Sequence, residues 1–246
     1  MWQINLVYMT INTTMRQTIV FMFFLLMPLT IQAQEEREII PVDWKEVKKV
    51  AEQDPQRIKD LVTRLSANQI DTTMTWQERI LAFYGQSYLE SNDDTGEGVM
   101  DLDKLMNEKK YEECLSAAKK VLNKNPLSLK ALRHAAFSIG YMVKDSTHHY
   151  DVTIREGQVY YNRMNRIFNT IATTGDGSKE HPFYVTSVSD EYMFMRYYLD
   201  LWEISKQYAT ESCDIIELKE TSKYYSQKLI YFEITRVMER WKSMFE

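Results

Sequence analysis

The chain has 246 residues, a formal net charge of −5, 44% hydrophobic and 26% charged residues. That balance excludes a wholly disordered chain, and an acidic protein whose basic residues form no stripe beyond short pairs such as Lys48-Lys49 and Lys119-Lys120 is a poor match for a nucleic-acid backbone. Only seven glycines and five prolines interrupt it, so long helices are expected, in one domain or two small ones.

In chain order, Arg16 is followed by an apolar run from Ile19 to Leu29 and then by "TIQAQEE". A cation, a short apolar core and a small residue at Ala33 read as a signal peptide over 1–33, with Met15 a better start than Met1 because Arg16 would then stand second. The run is shorter than the ~20 residues that cross a bilayer, so no membrane span is expected after cleavage. No cysteine lies near the cleavage point, which argues against a lipid anchor. The mature chain would begin at Gln34 and be exported, to the periplasm or beyond the cell.

Asp43-Trp-Lys-Glu46 opens a first helix with an acidic cap, and Asp54-Pro55 a second with proline in the first turn. Ile58, Leu61, Val62 and Leu65 form its buried stripe. Thr75-Trp-Gln-Glu78 is a capping box for a third helix carrying Trp76, Ile80, Phe83 and Tyr84. "ESNDDTGEG" is a polar loop whose acids, Asp93, Asp94 and Glu97, lack the spacing of a calcium-binding loop. Within 101–144, Tyr111, Cys114, Ala118 and Leu122 line one helical face, Pro126 ends that helix, and Ser128 caps a second bearing Leu132, Ala135 and Ile139. This unit resembles a tetratricopeptide repeat, with Tyr111, Cys114 and Pro126 in the aromatic, small and closing positions. A lone unit cannot bury its own face, so other helices must cover it. Thr153-Ile-Arg-Glu156 reads as the capping box of a long helix stopped by "TTGDGS", where Gly175 suits a cap with positive φ.

The last third changes character. "CDIIELKE" and "KLIYFEIT" are β-branched and aromatic, and predict an antiparallel hairpin with Ile230, Phe232 and Ile234 on one face. "EYMFMRYYL" fits strand or helix equally. "RVMERWKSMFE" is helical. The two cysteines, Cys114 and Cys213, are read as small hydrophobes within apolar patterns, with pairing left open.

Thr174-Gly-Asp-Gly177, Glu191-Tyr192, Cys213-Asp214 and Tyr231-Phe232, together with "WQERILAFYG" from Trp76 to Gly85, resemble the bacterial domain-of-unknown-function family 4919. The resemblance spans most of the mature chain and tilts "EYMFMRYYL" toward strand. It brings no activity with it.

Chemical motifs are few. No H-E-x-x-H, Cys-x-x-Cys, nucleophile-elbow or phosphate-loop pattern occurs, and His148-His149 are neighbours that regular structure would point apart. No metal or cofactor is expected. His181 with Asp176 or Glu191 is the one acid–base constellation. The competing reading makes Gly175, Asp176 and Gly177 a structural turn. Trp76, Tyr84, Tyr160 and Tyr192 are the candidate binding aromatics. The sequence therefore predicts an exported α+β protein: a mostly α-helical, repeat-like body over 34–174 and a small antiparallel sheet in 175–246, packed together. Its leading function is a non-enzymatic module binding a protein or peptide partner in the cell envelope. The alternative is a hydrolase using His181 with Asp176 or Glu191.

Overall fold

The computed structural model describes residues 38–89, 97–145 and 150–243. The signal peptide, the choice of start, Asp93 and Asp94, and His148-His149 lie outside them. Ile39–Glu246 makes one compact unit, and it is α+β and mostly helical.

Local signals start the helices. In α1, Trp44–Gln53, the Asp43 carboxylate accepts from the amides of Lys45 and Glu46 at 3.0 and 3.1 Å. Asp54 caps α2, Pro55–Ser66, by accepting from the Arg57 amide at 3.1 Å. α3, Trp76–Gln86, carries the reciprocal Thr75–Glu78 box. α4, Glu97–Asn107, leads to α5, Tyr111–Lys124, and α6, Leu129–Asp145, which pair as a hairpin. The Ser128 hydroxyl accepts from the Ala131 amide at 3.4 Å. α7, Tyr150–Thr173, begins three residues before the expected cap, so Thr153 lies inside the helix. It packs against α6, α3 and α2. Cys114 is buried and directs its thiol to the Leu102 carbonyl at 3.6 Å, while Cys213 is half-buried; both are free thiols.

α7 stops at the glycines. A Cβ on Gly175 would lie 2.2 Å from the Pro182 carbonyl oxygen and 2.5 Å from that of His181, so only glycine lets the returning chain pass. The positive φ, +80°, belongs to Gly177 rather than to Gly175 as expected. The amides of Asp176 and Gly177 both donate to the His181 carbonyl at 3.0 Å. Gly177 in turn accepts from the Tyr231 amide at 3.0 Å and the Tyr225 hydroxyl at 2.9 Å, which fastens the corner to the sheet.

Beyond the corner come β1, Phe183–Tyr184; α8, Val188–Tyr197; β2, Ile204–Ala209; β3, Cys213–Leu218; β4, Leu229–Glu233; and α9, Thr235–Ser243. The sheet order is β1-β4-β3-β2. β1 runs parallel to β4 and the other pairs are antiparallel. The expected hairpin is β3–β4, with Ile215 opposite Tyr231 and with Ile230, Phe232 and Ile234 all buried. One reading is corrected. "EYMFMRYYL" contributes to a helix, not a strand: Ser187 caps α8 by accepting from the Asp190 amide at 3.2 Å, and helical spacing sends Glu191, Phe194 and Met195 into the core. Phe194 packs on Phe183 at 4.8 Å and stacks on Tyr198 at 4.9 Å between ring centres. β2 was not foreseen; it is an edge strand with five exposed residues and no apolar alternation to betray it.

Candidate functional site

The residues singled out in the sequence fall in different settings. His181 is exposed; its amide donates to the Ser178 hydroxyl at 3.1 Å and its carbonyl closes the turn. Asp176 is also exposed and accepts from the Ser178 amide at 2.8 Å, as a turn residue does. Glu191 is fully buried on α8. Among the described residues no side-chain hydrogen bond joins His181 to Asp176 or Glu191. Of the aromatics, Tyr84 is fully buried and donates to the Tyr184 carbonyl at 2.8 Å, which removes it from any surface. Trp76 is 40% exposed, with the Arg79 guanidinium 4.8 Å from its ring centre. Tyr160 and Tyr192 are half-buried.

Glu191 does have a partner, one that sequence reasoning missed. β3 presents Asp214, Ile216 and Leu218 to the core, and Asp214 meets Glu191 there. Both carboxyl oxygens of Glu191 and Oδ1 of Asp214 are buried without a donor. Two carboxylates cannot satisfy each other; a proton on Glu191 supplies the missing O–H and makes a hydrogen bond to Asp214. Burial, and then the Asp214 charge, push the Glu191 carboxyl up to about 10. From Asp214 a chain of contacts runs outward: Gln207 on β2 donates to Asp214 Oδ2 at 2.5 Å, and the Tyr192 hydroxyl donates to Gln207 Oε1 at 2.5 Å. Asp190, one residue before Glu191, faces elsewhere and accepts from the Thr186 hydroxyl at 2.8 Å. No third His, Cys, Asp or Glu joins the pair to make a metal-holding group among the described residues. The signal was legible in "CDIIEL": an aspartate in phase with two apolar residues must find a partner inside.

Two concave features lie on the helical body. A pocket of about 560 Å³ opens between α5 and α7, and Asn68 also lines it. Lys119, Leu122, Val159, Tyr160 and Arg163 line it, together with Arg155 and Glu156. Glu156 pairs with Lys119 at 2.7 Å and accepts from the Tyr160 hydroxyl at 3.3 Å. The Arg163 guanidinium lies 5.9 Å from the Tyr160 ring centre. A second, apolar cleft of about 250 Å³ lies between α6 and α7, lined by Phe137, Gly140, Val143, Gly157 and Tyr161 among others.

Fold and placement thus describe a mostly helical α+β protein. Its residues of the Gly-Asp-Gly, Glu-Tyr and Cys-Asp motifs build the corner and the buried carboxyl pair. The family model described as "Domain of unknown function (DUF4919)" matches residues 46–243, and the chain belongs to that family. No curated protein and no solved structure matches the chain.

Proposed function

We infer that the protein is an exported, non-enzymatic module of the cell envelope that binds a protein or peptide segment on its helical body. The observation that carries this is the open pocket between α5 and α7, about 560 Å³ with apolar walls from Leu122 and Val159, an aromatic flank from Tyr160 and several charged side chains. Most of its lining is charged or amide side chains around two aliphatic residues and one aromatic ring, which offers polar partners to a peptide's side chains and backbone. Tyr160 is the one binding aromatic from the sequence reading that lines this pocket. The hydrolase alternative has no comparable support: His181 and Asp176 serve an exposed turn, while Glu191 is closed off beneath the sheet.

The test is a photo-crosslinking amino acid at Tyr160, in the pocket, or at Trp202, which is 57% exposed and does not line it. Crosslinking of a defined envelope protein from position 160 and not from 202 is the expected result. Equal yields from both positions, or none from 160, would count against the pocket. Cell fractionation with N-terminal sequencing checks export, and a mature terminus at Gln34 is expected.

A further inference from the structure

Three arginines on one side of the helical body stand without a carboxylate. Arg79 is on α3, Arg163 and Arg166 on α7, and none of them forms an ion pair among the described residues. The Nε of each is buried and unpartnered. Arg166, only 6% exposed, donates to the Ala67 and Gln69 carbonyls at 2.5 and 3.4 Å, which holds the chain leaving α2. Arg163 donates to Asn68 Oδ1 at 3.2 Å. All of these acceptors are neutral. Burial and then the like charges of Arg163 and Arg79 depress Arg166, and burial depresses Arg163. An arginine does not answer such a site by giving up its proton. A positive cluster therefore persists in a chain whose net charge is −5. Arg163 is the member of the cluster that lines the pocket between α5 and α7, beside Lys119, Arg155 and Tyr160. The pocket's carboxylate, Glu156, is already engaged by Lys119.

We propose that this pocket receives a carboxylate of an acidic peptide segment, with Arg163 as its forked partner and Tyr160 packing alongside. The inference rests on the peptide-binding reading and adds to it the charge of the occupant. Planar guanidinium and planar carboxylate match in two parallel hydrogen bonds, which a lysine does not reproduce. Arg166 and Arg79 stand behind Arg163 and raise the local potential that draws an anion in.

A peptide array decides it. Random short sequences rich in Asp and Glu are spotted beside twins in which every Asp is Asn and every Glu is Gln, and the purified protein is applied. The acidic members should bind at least about tenfold more tightly than their twins. Arg163→Gln should abolish that preference and Arg163→Lys should keep part of it. Equal binding of the twins overturns the charge inference and leaves the peptide-binding reading in place. Binding of no peptide overturns both, as does competition by inorganic phosphate in the absence of any peptide preference. If Arg163→Gln fails to fold, salt decides with the unaltered protein. Loss of at least about tenfold in affinity for acidic members between about 0.05 and about 0.5 M sodium chloride supports the proposal, and a flat response overturns it.

Discussion

The protein holds two clusters of like charge, and it treats them differently. Under the sheet, Glu191 and Asp214 face each other in a closed core. On the helical body, Arg79, Arg163 and Arg166 gather around the end of α2 and the edge of an open pocket. A carboxyl group has an escape, because it takes up a proton and turns repulsion into a hydrogen bond. A guanidinium has none, since it stays charged at any physiological pH. The acidic cluster can therefore be sealed and become part of the framework. The basic cluster stays charged against neutral acceptors, with Arg163 at the edge of the open pocket. The difference teaches where a function can be sought: a pair that satisfies itself is architecture, and the cluster that cannot is where we propose that a partner binds.

Four substitutions would break or sharpen that contrast. The largest effect is expected at the glycine corner. Gly175→Ala drives a methyl group into the Pro182 and His181 carbonyls, and should lower stability by about 3 kcal/mol or more in urea unfolding. Next is Glu191→Gln. In the unfolded chain this carboxyl loses its proton near 4.5, whereas the folded protein holds it to about 10. Between those values the unfolded state binds fewer protons. The stability due to Glu191 is therefore complete below 4.5 and falls as pH rises, by about 1.4 kcal/mol per pH unit. Glutamine keeps a donor toward Asp214 without a proton to lose, so the variant should match the parent near pH 4 and exceed its melting temperature at pH 8. Third, Arg166→Gln abandons the carbonyls of Ala67 and Gln69 and should cost about 1–3 kcal/mol. Last, Gly140→Ala meets nothing within 4 Å. On the open side it should stabilise α6 by about 0.5–1 kcal/mol, seen as a higher urea midpoint.

Much of the framework was legible because it is written locally. Asp43, Asp54-Pro55 and the Thr75–Glu78 box start helices through contacts three or four residues long. The β3–β4 hairpin shows in the β-branched and aromatic content of "CDIIELKE" and "KLIYFEIT". The corner was legible in its glycines, although the positive φ fell on Gly177, because the constraint on Gly175 comes from residues that fold back onto it. "EYMFMRYYL" was not decidable, since its aromatics suit either period and the packing of Phe194 against Phe183 and Phe168 makes the choice. β2 carries Ser205, Lys206 and Gln207 and owes its conformation to pairing with β3. The burial of Asp214 could be read from its phase with Ile216 and Leu218, but its meeting with Glu191, like that of α3 with α7, depends on a distant encounter that neighbouring residues cannot announce. The helical hairpin of α5 and α6 is present as a hairpin.

The most direct measurement is a carbon-13 NMR titration of the Glu191 side-chain carboxyl in the folded protein. A group that answers its burial with a proton keeps the chemical shift of a carboxylic acid from pH 5 through pH 8, and moves only as the solution approaches about 10. A titration centred near 4.5, the ordinary value for the group, would show an ionised carboxylate facing Asp214. That result would contradict the account of the acidic cluster as a self-satisfied part of the framework.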